Sequence, residues 1–192
     1  MSPGGHLVTT ALACASSLAA SHGAPVADTA ALAAGIAVGG FLIDVDHALD
    51  YVLFERQRDL RPGAFLRYYL EGRVHRTVLV LHSYELFALL GVIAWWTGSL
   101  ALAGYLLGAL MHLALDLLFN GEQLPRSISA FYCFTYRVVH RFDAARLMGA
   151  HDPWRVPAGF WGGFFRGAER DGHPTRPTPV TRRRAPSAAE GT

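Results

Sequence analysis

The chain of 192 residues contains no lysine, only two cysteines and few charged residues of either sign. All 17 basic residues are arginine, a bias that suits a GC-rich coding sequence and carries no functional meaning. Cys14 and Cys133 stand far apart in apolar or aromatic stretches, which excludes a disulfide framework and a Cys-x-x-Cys zinc ribbon. Charged residues make up 17% of the chain, whereas about a quarter is usual in soluble domains. These shortages argue against soluble-enzyme, nucleic-acid-binding and disulfide-rich classes and favour a membrane protein.

Basic residues are also absent from the first 55 positions, which contain five acidic residues. A secretory signal peptide starts with a basic segment, so this absence argues against a cleaved leader. The alanine-rich residues 6–21 are therefore predicted to form a first membrane helix. The small and apolar residues 30–43 predict a second helix, which we expect to continue through Asp50.

The longest apolar run, residues 77–119, predicts a helical hairpin. It carries only two formal charges, and Thr97-Gly98-Ser99 divides it into arms of about residues 76–96 and 100–119. Each arm has close to the roughly 20 residues that cross a bilayer. Trp95-Trp96 stands beside the turn, where aromatic side chains anchor at the membrane interface. The predicted fold is all-α, a polytopic four-helix transmembrane bundle.

The distribution of arginine orients this bundle. Six arginines lie in residues 50–76 and eleven follow Asn120, whereas the connections 22–29 and 97–99 contain none. With four helices, both arginine-rich segments fall on one side, which the positive-inside rule assigns to the cytoplasm. We therefore expect a multi-pass protein of the bacterial inner membrane with both termini in the cytoplasm.

Composition divides the chain into three predicted parts. Residues 1–124 form the transmembrane helical domain, which contains the polar site. Residues 125–166 interleave apolar residues with arginine, which favours a cytoplasmic or interfacial amphipathic helix against anionic lipid. Residues 167–192 are rich in proline and arginine and lack aromatic residues, as is typical of a disordered basic tail. Membrane lipid is the expected partner, and nucleic acid is not.

Ionisable side chains recur inside the predicted helices, although each costs about 2.5–3.5 kcal/mol to insert. Counted along each helix at 1.5 Å per residue, they lie about 20–28 Å from the opposite end of the bundle. The residues that reach this common level are His6, Asp44, Asp46, His47, His82, Glu85, His112 and Asp116. His112 and Asp116 share a helix face with Gly104 and Gly108, which would let a neighbouring helix approach closely.

This chemistry predicts a metal site. Clustered carboxylates repel one another and stay partly protonated unless a cation neutralises them. Imidazole with carboxylate suits zinc, manganese or iron rather than calcium, and the eight residues could hold one or two ions. We expect Asp50 to serve as a general base and Arg76 to bind an anionic part of the substrate. For His75, an interfacial role and ligation are equally consistent with its position.

The polar motifs follow a pattern that resembles a known family. It consists of Asp-Val-Asp-His (44–47) after Gly-Gly-Phe-Leu-Ile (39–43), His75-Arg76 with His82-Ser83, and His112-x-x-x-Asp116. With an early histidine such as His6, it resembles the YdjM-like membrane-bound predicted metal-dependent hydrolases over about residues 5–120. The resemblance implies a polytopic inner-membrane protein with a hydrolytic metal site. Ile43 in place of proline, the wide spacing of the two histidines and the additional Glu85 indicate a divergent member.

The leading hypothesis is a membrane-bound metal-dependent hydrolase that acts on a lipid or lipid-linked ester, such as a phosphoester. A bound ion would activate the attacking water. One alternative is an ion-coupled or proton-coupled transporter, which flux in proteoliposomes would reveal. Another is a non-catalytic metal-binding membrane protein, in which metal would support stability without turnover. A di-iron redox protein would show an iron-dependent absorption band.

Overall fold

The computed structural model describes residues 2–119, 127–148, 159 and 161–162. These residues contain helices and no β-strand, so the predicted all-α class is confirmed for them. The helices are α1 (Pro3–Ala20), α2 (Val26–Gly40), α3 (Val45–Leu49), α4 (Pro62–Leu70), α5 (Tyr84–Thr97), α6 (Leu100–Phe119), α7 (Ile128–Phe131), α8 (Phe134–Val139) and α9 (Ala144–Met148). A 3₁₀ turn (Leu42–Asp44) precedes α3, and a π-helical turn (Asp50–Phe54) follows it. The predicted tail, 167–192, and the predicted boundary at residue 124 lie outside the described residues.

Local caps set the ends of the helical hairpin formed by α5 and α6. The Ser83 hydroxyl accepts a hydrogen bond from the Leu86 amide at 3.4 Å, which satisfies an unpaired donor of the first turn of α5. Gly98 ends α5 with φ at 64°, a left-handed conformation that glycine adopts without strain. Trp95 and Trp96 stand beside this turn, 83% and 84% exposed. The hairpin therefore turns where the sequence predicts.

Helices α2 and α6 pack through glycines spaced four residues apart on each helix. A Cβ atom at Gly35 or Gly39 would overlap carbonyl oxygens of α6. A Cβ atom at Gly104 or Gly108 would overlap carbonyl oxygens of α2. The expected close approach at Gly104 and Gly108 is confirmed, and small residues at such a crossing are typical of membrane helix pairs. This contact brings the last turns of α6 against the segment that follows α2.

The second predicted helix does not continue through Asp50. It ends at Gly40, and the axis bends by 47° between Val26–Gly40 and Leu42–Phe54. At the break, the Gly40 carbonyl oxygen accepts a hydrogen bond from Nδ1 of His112 at 3.0 Å. A side chain of α6 therefore binds the chain where α2 ends, which the helical pattern alone could not indicate.

The third predicted helix starts eight residues later than expected, at Tyr84 rather than Arg76. Residues 71–83, which we call the α4–α5 loop, lie between α4 and α5. Two side chains from distant parts of the sequence form hydrogen bonds with the backbone of this loop. Asp50 accepts from two of its amides, and Arg137 donates to two of its carbonyl groups. These bonds replace helical ones, so residues 75, 82 and 85 do not lie on one face of a helix.

The described part of the predicted segment 125–166 forms three short helices instead of one amphipathic helix. It packs directly against the α4–α5 loop. Backbone hydrogen bonds join the Thr77 amide to the Phe142 carbonyl and the Ala144 amide to the His75 carbonyl, each at 2.9 Å. Residues 127–148 therefore pack on the loop that carries His82.

Within the described part of the chain, one helix, α6, is long and apolar enough to cross a membrane, and the bent pair Val26–Gly40 with Leu42–Phe54 makes a second if it counts as one span. Helix α5 is apolar but has only 14 residues, about 21 Å at 1.5 Å per residue. Many large apolar side chains on the outside of these helices are more than half exposed, among them Leu89, Val92, Leu107 and Leu110. Exposed apolar side chains in this number are typical of surfaces that contact a membrane or another protein.

Candidate metal centre

Side chains from four parts of the chain meet at the end of the bundle opposite the α5–α6 turn. Seven of the eight predicted ligands form three overlapping groups, with ligand atoms within 4.8 Å of one another in each. The groups are His6, His112 and Asp116; Asp44, His82 and His112; and Asp46, His47 and His82. Most of these side chains are buried, but those of Asp44 and His47 are 32% and 29% exposed. The common depth that the sequence indicates therefore corresponds to a real cluster.

His82 and His112 are held so that one nitrogen of each ring faces the other. Nδ1 of His82 lies 3.1 Å from both carboxylate oxygens of Asp46, and Nδ1 of His112 lies 3.0 Å from the Gly40 carbonyl oxygen. Since both partners are acceptors, each ring can donate Nδ1–H to its partner, and a neutral ring that does so has its lone pair on Nε2. The two Nε2 atoms are 3.3 Å apart. Two lone pairs at this distance repel unless a cation or proton lies between them.

Asp44 completes a triangle with these two nitrogens. Its Oδ1 lies 3.4 Å from Nε2 of His112 and 3.5 Å from Nε2 of His82. A tetrahedral ion with ligand bonds of about 2.0–2.1 Å separates its ligand atoms by about 3.3–3.4 Å. The three observed distances, from 3.3 to 3.5 Å, therefore match one face of such a tetrahedron. The carboxylate–histidine and carbonyl–histidine contacts behind the triangle are those that orient histidine ligands in metal proteins.

Asp116 lies on the other side of His112. Its Oδ2 is 3.4 Å from Nε2 of His112, and its Oδ1 is 3.0 Å from Nε2 of His6. The Tyr132 hydroxyl donates to Oδ2 at 3.3 Å. Burial, followed by the nearby charge of Asp116, raises the pKa of the Tyr132 phenol, which therefore remains a donor. The sequence offered no signal for Tyr132, which comes from the segment after α6.

His47 borders the cluster on its open side. Its Nε2 is 3.7 Å from Oδ1 of Asp44, and its ring packs edge-on against Tyr69 of α4 with centroids 5.1 Å apart. The Tyr69 hydroxyl donates to the His47 carbonyl oxygen at 2.6 Å. Among the described residues, Nδ1 of His47 is buried without a hydrogen-bond partner. His47 is thus near the triangle but less firmly oriented than His82 and His112.

The two residues predicted for catalysis lie outside the three groups. Oδ2 of Asp50 accepts from the Val78 and Leu79 amides at 2.6 and 3.1 Å, which fixes the α4–α5 loop. Arg76 is exposed, and its backbone amide donates to Glu55. The structure therefore gives Asp50 a loop-anchoring role and leaves the Arg76 side chain on the exposed surface of the loop.

Glu55 is a second anchor of this loop, and its side chain is almost fully buried. Its carboxylate accepts from the Tyr68 hydroxyl, the Arg76 amide and both the amide and the ring of His75. Burial opposes the charged form, but these hydrogen bonds prevail and lower the pKa of Glu55. His75 is therefore bound to Glu55 and is not part of the three groups of candidate ligands.

Glu85 is the one predicted ligand that the structure does not bring to the cluster. Its carboxylate accepts from the Phe134 and Thr135 amides, each at 2.8 Å, and from the Cys133 thiol at 3.0 Å. These amides start α8, so Glu85 caps that helix. Because α5 starts at Tyr84, Glu85 occupies its first turn and faces the segment after α6 instead of the histidines.

Arg137 is an unexpected part of the site. The arginines of the segment 125–166 are predicted to face anionic lipid, but the side chain of Arg137 is fully buried. It donates to the carbonyl oxygens of Leu79, His82 and Phe131 at 2.8–3.0 Å. Burial lowers the pKa of its guanidinium, an effect that nearby carboxylates oppose. Two of these bonds hold the α4–α5 loop at Leu79 and at His82 itself, so Arg137 positions this candidate ligand.

No family model, curated protein or solved structure matches the chain.

Proposed function

We propose that the protein is a membrane-bound, divalent-metal-dependent hydrolase and a divergent member of the YdjM-like family. The observation that carries the proposal is the triangle of His82 Nε2, His112 Nε2 and Asp44 Oδ1, with sides of 3.3–3.5 Å. Three protein ligands with one position left open are the usual arrangement of a catalytic zinc site, whereas structural zinc sites are closed by four.

The proposed membrane arrangement has four spans, formed by α1, by α2 with the bent segment after it, by α5 and by α6. The exposed apolar faces of these helices and the paired tryptophans at the α5–α6 turn support it. The metal cluster lies at the end where the arginine-rich segments 55–76 and 127–148 meet, which the positive-inside rule assigns to the cytoplasm. The proposed location is the inner membrane of a bacterium, with both termini cytoplasmic.

In this proposal, the chain orients the ligands and controls access to the open position. A divalent ion bound here would supply Lewis acidity and lower the pKa of water toward neutrality. Asp46 and the Gly40 carbonyl keep the ring protons of His82 and His112 on Nδ1, which leaves Nε2 free to ligate. Asp50, Glu55 and Arg137 hold the loop that carries His82.

A lipid or lipid-linked ester is the proposed substrate because the open side of the cluster borders an apolar surface. Asp44 and His47 are its two partly exposed members. Leu42, Val45 and Leu49, from the same short segment, are about half exposed. A membrane-embedded acyl chain could cover these side chains while an ester group reaches Asp44. A water-soluble ester would leave this apolar surface uncovered.

The test is metal content and ester turnover of the detergent-purified protein. We expect at least one zinc, manganese or iron ion per chain, together with hydrolysis of phospholipid in mixed micelles. A His82→Ala/His112→Ala double variant should lose both. His22→Ala is the matched control because His22 is exposed in the turn after α1. The proposal fails if the wild type binds none of these ions, or binds one without hydrolysing phosphate or acyl esters.

One observation favours transport as the second candidate. The helix break between Gly40 and Leu42 lies directly at the cluster, and interrupted helices line ion sites in many secondary transporters. In that case, the same ligands would pass an ion or a proton instead of activating water. Flux in proteoliposomes that His112→Ala abolishes, with no ester turnover in the wild type, would support this candidate over hydrolysis.

A further inference from the structure

We propose that the cluster binds a second divalent ion between His6 and Asp116, beside the ion held by Asp44, His82 and His112. This inference rests on the proposed function, since the second position shares its surroundings with the first. It also narrows the substrate class to phosphoesters.

The geometry around His112 points to this second position. The rings of His6 and His112 stack with centroids 3.7 Å apart and planes within 14° of parallel. Both Nε2 atoms approach the same carboxylate, His6 at Oδ1 of Asp116 and His112 at Oδ2. Ions bound to the two nitrogens would therefore lie side by side, bridged by Asp116. Their separation would be close to the ring spacing, and metal pairs in two-metal enzymes are about 3.5–4 Å apart.

The charge of the cluster favours a second ion as well. Three carboxylates, those of Asp44, Asp46 and Asp116, lie within the three ligand groups, and Asp50 is buried next to them. Arg137 is the nearby buried cation, but its guanidinium bonds to backbone carbonyl groups. One divalent ion offsets two negative charges, so the remaining carboxylates still repel one another unless a second ion binds.

The two positions differ in how well their histidines are oriented. His82 and His112 each donate Nδ1–H to an acceptor, whereas Nδ1 of His6 is buried and has no hydrogen-bond partner among the described residues. Loss of such a contact usually weakens metal binding about 10–100-fold. We therefore expect the ions to bind in sequence, with the position at Asp44, His82 and His112 filled first.

A pair of ions at this spacing suits phosphoester hydrolysis. Two ions can bind the attacking and the leaving oxygen of an in-line displacement at phosphorus, with water breaking the P–O bond. The products are a phosphate monoester or free phosphate and an alcohol, and no redox partner is needed. The apolar border of the cluster makes a lipid phosphoester the expected substrate.

The experiment titrates the metal-free, full-length protein in detergent with Mn²⁺ and records both stoichiometry and electron paramagnetic resonance spectra. We expect two equivalents to bind, the second about 10–100-fold more weakly. Full loading should produce the spectrum of an exchange-coupled manganese pair. His6→Ala and the milder His6→Gln should bind one equivalent and show only uncoupled Mn²⁺. His22→Ala should behave as the wild type.

The outcomes separate this inference from the proposed function. One equivalent in the wild type, unchanged in both His6 variants, would overturn the second position and leave the hydrolase proposal standing. Two equivalents without exchange coupling would also overturn it, because the ions would then lie too far apart to share Asp116. No bound metal at all would overturn both. The coupled spectrum is measured on the wild type, so the result does not depend on the folding of any variant.

Discussion

Replacing Asp46 with asparagine isolates the contribution of one hydrogen bond behind a metal ligand. The Asp46 carboxylate accepts a hydrogen bond from Nδ1 of His82 at 3.1 Å and another from the Leu81 amide at 3.0 Å. Asparagine is nearly isosteric but has a single acceptor oxygen. If that oxygen remains on the Leu81 amide, an NH₂ donor replaces the other of the two oxygens that lie 3.1 Å from Nδ1 of His82, which weakens the preference for a proton on Nδ1. A ring with its proton on Nε2 cannot ligate through that nitrogen.

The expected loss follows from metal sites in which this outer contact was removed, where affinity falls about 10–100-fold. Because each tenfold change in affinity corresponds to 1.4 kcal/mol, the predicted cost is about 1.4–2.8 kcal/mol of binding free energy. Stoichiometry should remain unchanged, because Asp46 orients His82 and the triangle itself needs only Asp44, His82 and His112.

The assay is competition for Zn²⁺ against a chromophoric chelator, with wild type and Asp46→Asn purified in the same detergent. Asp28→Asn is the control, because Asp28 is an exposed acid in the first turn of α2 and its loss changes the net charge equally. Equal affinity of wild type and Asp46→Asn would refute the tautomer argument. A loss of the same size in Asp28→Asn would show that net charge alone is responsible.

Two further predictions concern stability. Gly39→Ala should lower the free energy of unfolding in micelles by about 1–3 kcal/mol, because its Cβ would overlap a carbonyl oxygen of α6. Gly91→Ala is the control, since its Cβ would meet only Leu106 Cδ1 at 4.0 Å, and equal effects would contradict the packing argument. The lowered pKa of Glu55 predicts a contribution to stability that is present above pH 4.5 and disappears as the pH falls through the lower folded-state value. In Glu55→Gln, the free energy of unfolding should therefore fall less steeply as the pH is lowered. The same slope in the wild type and the variant would argue against a lowered pKa of Glu55.

The positions of the buried ligands could be predicted from sequence because helices convert residue number into depth. His6, His112 and Asp116 lie on regular helices, α1 and α6, whose distances from the far turns follow from the rise per residue. The glycine crossing of α2 and α6 then fixes which faces meet. The depth of these residues in the bundle could be predicted without knowledge of tertiary hydrogen bonds.

The α4–α5 loop was not predictable for the opposite reason. Residues 76–83 are apolar enough for a helix, but their backbone is bound by Asp50, Glu55 and Arg137 from distant parts of the chain. Local pattern carries no information about such partners. The start of α5 at Tyr84 then turns Glu85 toward α8, although residue spacing alone puts it on the face of His82.

The dependence of His82 on Arg137 has a consequence for how the protein matures. All seven clustered side chains belong to the first 116 residues. Arg137, which donates hydrogen bonds to the loop that carries His82, is synthesised 55 residues after that histidine. In the proposed membrane arrangement, helices α1, α2, α5 and α6 would enter the bilayer while Arg137 is still inside the ribosome. Membrane insertion and completion of the proposed metal centre would then be separate events in time, and the nascent bundle would meet the ions of the cell before it could hold them firmly.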